Sequence, residues 1–218
     1  MPSEAPTEPF HYGTAASRGQ ILAWAFYDFA NSGYTTVVIT AVFNAYFVRV
    51  VAGNTDAATF LWTLALSLSY AGILVLGPVV GQMADDRGRI KPWLAGTTAA
   101  CVAGTLGLAT VGADEVVWAF ALILLSNLGF GLGENLIAAF LPKLVPPSRL
   151  GRVSAYGWTL GYLGGLLTLG LSLVAVRWAQ GQGWEAEAYV PLTMVIVAVT
   201  FALTALPTFL YVPERPVT

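Results

Sequence analysis

The chain has 218 residues, a formal net charge of −2, and 10% charged against 56% hydrophobic residues, where soluble domains carry about 25% charged residues. That balance excludes an ordinary water-soluble domain, and the absence of a basic patch excludes a nucleic-acid partner. One histidine and one cysteine leave no material for a zinc centre, a Ser-His-Asp triad or an intramolecular disulfide, and no cofactor is expected.

Residues 1–19 open with MPSEAPTEPF, acidic and proline-rich without a cationic n-region, and hold His11. They read as a disordered cytoplasmic tail, not a signal peptide. Uncharged runs then occupy 29–48, 57–84, 92–113, 116–133, 153–176 and 188–213. Each approximates the ~20 residues that cross a hydrocarbon core, where only segments that satisfy their own backbone survive. The sequence therefore predicts an all-α integral membrane protein, a six-helix transmembrane bundle over 20–212. Residues 213–218 are a cytoplasmic tail or the start of an interdomain linker.

Span 1, about 20–50, is apolar and aromatic, yet carries Asp28, Asn31, Ser32 and Thr35 at spacings that share one helical stripe. Span 2, about 59–82, places Thr63, Ser67 and Tyr70 on one face, with a kink expected at Gly77-Pro78. Span 3, about 92–111, holds Cys101 as a small buried apolar residue. Span 4, about 116–141, contains Asn127, Gly131, Glu134 and Asn135. Span 5, about 153–177, carries Gly157, Gly161 and Gly165 at four-residue spacing, a close-packing face. Span 6, about 190–211, includes Pro191 and Pro207.

With the N-terminus inside, the cytoplasmic side receives Arg18, Arg87, Arg89, Lys91, Lys143, Arg149, Arg152 and Arg215, and the other side only Arg49 and Arg177. The positive-inside rule then puts both termini in the cytoplasm, for a multi-pass protein of the cell (inner) membrane. Trp24, Trp93 and Trp158 near one set of ends, and Trp62, Trp118 and Trp178 near the other, read as aromatic belts.

The loop between spans 2 and 3, Gly81-Gln-Met-Ala-Asp85-Asp86-Arg87-Gly88-Arg89-Ile90-Lys91, resembles the GxxxDRxGR(R/K) motif of the major facilitator superfamily. It departs at Asp86 and Ile90, where basic residues are usual. Gly81 is expected to permit close helix packing. Asp85 is expected to accept hydrogen bonds at a helix end, and Arg89 and Lys91 to hold a gating loop that includes Arg87 and Gly88. Span 1 and the stretch LGFGLGENLIAAFLPKLVPPSRLGRVSAYGWTLGYLGG look like the vacuolar amino-acid effluxer (autophagy-related) family within that superfamily. The resemblance implies one half of a major facilitator fold, a 3+3 inverted repeat, in a transporter of amino acids or similar amphipathic metabolites.

Asp28 and Glu134 each lie about eight residues inside the cytoplasmic ends of spans 1 and 4, roughly 12 Å deep. An ionised side chain there costs roughly 2.5–3.5 kcal/mol on insertion scales, so it faces a cavity or a partner. The pair has two functional readings, sharing a proton or receiving a substrate ammonium; static helix-end contacts are the alternative. Asn31, Thr35, Asn127 and Tyr162 are candidates for the same cavity or for interhelical glue. No metal ligands are identified. The leading expectation is a secondary transporter, or its N-terminal half, working by alternating access with proton coupling through Asp28. Such a half needs a second six-helix half, as a homodimer or a separate chain. The alternative is a non-transporting membrane scaffold or regulator, or a truncated piece of a twelve-helix transporter.

Overall fold

A computed structural model describes residues 16–214. The expectations for residues 1–15, including His11, and for 215–218, including Arg215, fall outside the described residues. Six long helices make up the bundle: α1 (Arg18–Val51), α2 (Ala58–Asp86), α3 (Lys91–Leu108), α4 (Val116–Ala138), α5 (Leu150–Gly181) and α6 (Ala186–Tyr211). A short turn of helix, Leu141–Leu144, and a 3-10 turn, Pro147–Arg149, join α4 to α5. Five of the six helices are long and apolar enough to cross a membrane, α4 counted through Leu144. The exception, α3, is an 18-residue helix (KPWLAGTTAACVAGTLGL) whose glycines and threonines dilute its apolarity. Those same small residues let α4 approach: an added Cβ at Gly104 would stand 2.8 Å from the Ser126 backbone nitrogen.

The four largest helix–helix seams fall into counterpart pairs when the first three helices are exchanged for the last three, although α5 also packs on α6 where α2 and α3 make no comparable seam. α1 packs on α5 and α6; its counterpart α4 packs on α2 and α3; and α3 meets α6 at the centre. This is the relation expected of a 3+3 repeat. In their most apolar stretches α2 and α5 are only 11% and 28% buried, against 56% for α4, so these two flank the bundle with broad apolar surfaces.

Hydrogen bonds group the loops by end. Ala16 N–H donates to Leu144 O at 2.9 Å, Lys143 pairs with Asp85 at 3.6 Å, and Lys91 N–H donates to Glu214 Oε1 at 2.8 Å. Both described chain ends and both basic loops therefore share one end of the bundle. At the other end, Asp114 N–H donates to Val51 O at 3.1 Å and Tyr46 Oη to Val111 O at 2.9 Å.

α1 starts with a capping box, Ser17 and Gln20 each accepting the other's backbone N–H. It widens to π geometry over Thr35–Ala41 and again over Phe47–Val51. Such widenings gather at functional positions, and the first begins one residue past Tyr34. The tryptophan belt needs a correction. Trp24 and Trp62 are interior, 8% and 5% exposed. Trp62 packs on Phe43 and Phe47, and the Trp24 indole N–H has a carbonyl to satisfy it inside the bundle, so neither has to reach the interface. Trp118, Trp158 and Trp178 are exposed, as a belt requires.

Candidate functional site

α1 and α4 are tied together by aromatic side chains at heptad-like spacing on α1. Trp24 Nε1–H donates to Ile137 O at 2.9 Å, meeting one of the last carbonyls of α4, which have no partner within their own helix. Tyr34 shares a 2.9 Å hydrogen bond with Ser126 and lies against Phe130, ring centroids 5.3 Å apart. Between them Tyr27 shares a 2.8 Å hydrogen bond with Thr98 of α3. These ties fix the level of the two acids. Asp28 stands four residues beyond Trp24 and Glu134 three residues before Ile137, on antiparallel helices. At 1.5 Å per residue both turns lie roughly 5 Å from the same tie. Phe130, Glu134 and Ile137 share the face of α4 that looks toward α1.

Neither acid has a salt-bridge partner among the described residues. The one salt bridge among the described residues is Lys143–Asp85, at the basic end. Glu134 is exposed and Asp28 half-buried, so both acids reach toward the surface of this bundle. The wall behind Asp28 is α5. An added Cβ at Gly157 would stand 3.0 Å from the Trp24 ring and 3.4 Å from Asp28 Oδ2; at Gly161 it would stand 2.8 Å from Ser32 Oγ and 3.2 Å from Asp28 Oδ2. The glycine stripe thus makes the room in which the carboxylate sits.

The other candidates divide. Asn31, one turn beyond Asp28, is 3% exposed with both amide atoms unpartnered among the described residues. Thr35 is half-buried and its hydroxyl donates to Asn31 O at 3.0 Å. Asn127 is fully buried away from the acids, its Nδ2 donating to Ser69 Oγ of α2 at 2.7 Å. Tyr162 follows Gly161 in the chain and is 69% exposed. Sequence reasoning missed Tyr27, Tyr34 and the tying role of Trp24. Their spacing with Asn31 was the available signal.

The basic loop is built differently from expectation. Gly88, at φ +60°, closes α2: its N–H donates to Asp85 O at 2.9 Å and Arg89 N–H to Ala84 O at 3.0 Å. That is a Schellman ending, which needs the left-handed conformation glycine adopts freely. Asp85 takes Lys143 as its partner, and the Arg87 guanidinium sits 5.7 Å from the Trp93 ring centre. Lys91 Nζ donates to Phe209 O at 2.7 Å, covering the open carbonyl end of α6. Gly81 has nothing within 4 Å of where a Cβ would stand, so within this bundle it packs against no neighbouring helix.

Six helices whose main seams are related by exchange of three-helix units fit one half-domain of a membrane transporter fold. The sequence model of the Major Facilitator Superfamily matches residues 3–169, and the chain belongs to that superfamily. It is similar to an uncharacterized MFS-type transporter, YxiO, of Bacillus subtilis (strain 168), with 29% identity over 198 residues covering 88% of this chain and 46% of the relative. The chain thus spans about half the length of that curated relative. No solved structure matches it.

Proposed function

We propose that the chain forms the first six-helix half of a secondary transporter that moves a small solute by alternating access. The observation that carries this reading is the pair Asp28 and Glu134, held at one level by the Trp24–Ile137 tie and open to the bundle's surface. A second six-helix half, whether a second copy, a separate chain or a continuation of this one, covers that face and completes the cavity. Asp28, Asn31, Thr35 and Glu134 line this half's wall, with Tyr162 at its edge. The loop of Gly81, Asp85, Arg87, Gly88, Arg89 and Lys91 works at the cytoplasmic end. Both termini are cytoplasmic, on the positive-inside argument, in the cell membrane.

The likeness of span 1 and of the span 4–5 stretch to the vacuolar amino-acid effluxers supports an amino acid or similar amphipathic metabolite as the solute, moved outward. Asp28 is the residue for proton coupling, since an unpaired intramembrane acid is the group that loads and releases a proton in such carriers. The test is efflux from proteoliposomes that hold this half together with its second half and are preloaded with radiolabelled amino acids, wild type against Asp28→Asn. Loss of flux in the variant is expected; equal flux in both removes Asp28 from the mechanism.

A further inference from the structure

The charge pattern of this wall narrows what it can hold. Its two carboxylates lack a salt-bridge partner, and the cations among the described residues all sit in loops or within a few residues of helix ends, Arg18 and Arg49 in α1, Arg152 and Arg177 in α5. Asp28 is ten residues from Arg18, roughly 15 Å along the helix. A negatively charged solute group placed beside the two acids is repelled by both, and neither acid is paired with a cation among the described residues. The Asp28 carboxylate and the Trp24 ring both abut Gly157, so an anion and an indole converge on one corner, the pairing that recognises an organic cation. One turn further on, the Asn31 amide is buried with neither its oxygen nor its nitrogen partnered among the described residues. Buried polar atoms are ordinarily satisfied, so an enclosed, unpartnered amide one helical turn from an acid is a group that a bound ligand would complete.

We propose that this half takes the cationic end of the solute, an organic ammonium group, between Asp28 and Glu134, with the Trp24 ring and the Asn31 oxygen completing its surroundings. The proposal rests on the transporter reading above and deepens it. Two acids at one level repel when both are ionised, and an ammonium between them relieves that repulsion while giving each a charge-assisted hydrogen bond. Any carboxylate carried by the same solute is left for the second half to recognise. A bare metal ion is a poorer fit, because no group of three or more potential metal-ligating side chains exists among the described residues.

Saturation-transfer NMR on the full chain in mild detergent tests this with three probes of one shape: n-butylammonium chloride, sodium n-butyrate and n-butanol. Saturable binding is expected for n-butylammonium alone, weakened about tenfold or more by Asp28→Asn, with Glu134→Gln as a second variant at an exposed position. Equal binding of butyrate or butanol overturns the proposal, as does n-butylammonium affinity unchanged in both variants. Butylammonium binding without solute flux in proteoliposomes that hold this half joined to its second half sinks the transporter reading alone. Asp28-dependent flux of a neutral solute without butylammonium binding sinks the ammonium site alone.

Discussion

The seams α1–α5 and α4–α2 are counterparts under the exchange of three-helix units, yet they are built from different materials. In α4–α2 the knobs are the ends of flexible side chains, mostly apolar, with the Asn135 amide 3.2 Å from a Cβ added at Gly77. An added Cβ at Gly72 would meet the tip of Leu128, 2.7 Å away, Gly131 faces Ile73, and the buried Asn127 is partnered by Ser69. In α1–α5, apart from the Trp24 and Phe29 rings at Gly157 and Gly164, the knobs are polar or main chain. Ser32 and Asp28 stand over Gly161, Thr36 over Gly165, Thr168 over Gly33, and the Phe29 backbone over Gly164. Thr168 Oγ1 and Ser172 Oγ are buried there without hydrogen-bond partners among the described residues. A seam made only to hold helices together would resemble α4–α2. On the reading proposed above, the polar residues of α1–α5 hold the Asp28 carboxylate against the glycine wall of α5.

The largest effect that separates the seams comes from filling a glycine in each. An added Cβ at Gly164 would stand 2.7 Å from Phe29 Cα and closer still to the Phe29 carbonyl oxygen, and main chain cannot step aside. Gly164→Val should cost about 3 kcal/mol or more, the upper range of overpacking, read as loss of the folded bundle in detergent by circular dichroism. Gly72→Ala meets only a leucine methyl that can turn away, and alanine gains roughly 0.8–1 kcal/mol of helix preference over glycine. Its melting temperature should stay close to wild type. Similar losses in both variants would mean that the two seams are equally rigid.

The smaller polar test is Asn127→Leu. Its hydrogen bond to Ser69 is the best-formed polar contact of the α4–α2 seam, and Ser69 keeps Leu66 O as its own acceptor at 2.8 Å. Interhelical hydrogen bonds in lipid average about 0.6 kcal/mol with a maximum near 1.7. The loss should fall in that range in reversible SDS unfolding, with solute flux unaltered. Reduced flux with unchanged stability would return Asn127 to the cavity.

Much of this was legible in the sequence, for a physical reason. Lipid tolerates few charges, so the positions of Arg49, Asp56, Asp85, Lys91, Asp114, Glu115, Arg152 and Arg177 mark where helices end. The four-residue glycine series of α5 announced a packing face, and α1 lies on it. Gly164 falls outside that series, so the tightest contact of the seam was missed. Which way a polar residue points was less legible. Asn31 and Asn127 look alike in an apolar run, and only the neighbouring helix distinguishes them: Ser69 faces one, and no hydrogen-bond partner meets the other. The aromatic ties were hidden too. Trp24 stands where a membrane-belt tryptophan would, and its real partner, the Ile137 carbonyl, is 113 residues away in the chain.

Asn31 gives the finest test of the comparison because its sign should be opposite to that of Asn127. Its amide is buried and makes no hydrogen bond with any described residue, so folding carries the desolvation of both polar atoms without a return. Replacing it with leucine, close in volume, removes that burden, and Asn31→Leu should melt at the wild-type temperature or gain about 1 kcal/mol. The same change removes the open oxygen beside Asp28, so solute flux and n-butylammonium binding should both fall. A variant that is more stable and less active would show that the amide is kept for its ligand at a cost to the fold. A variant that loses stability would mean that Asn31 is satisfied in the bundle after all, by a buried water, and would place it with Asn127 as part of the structure.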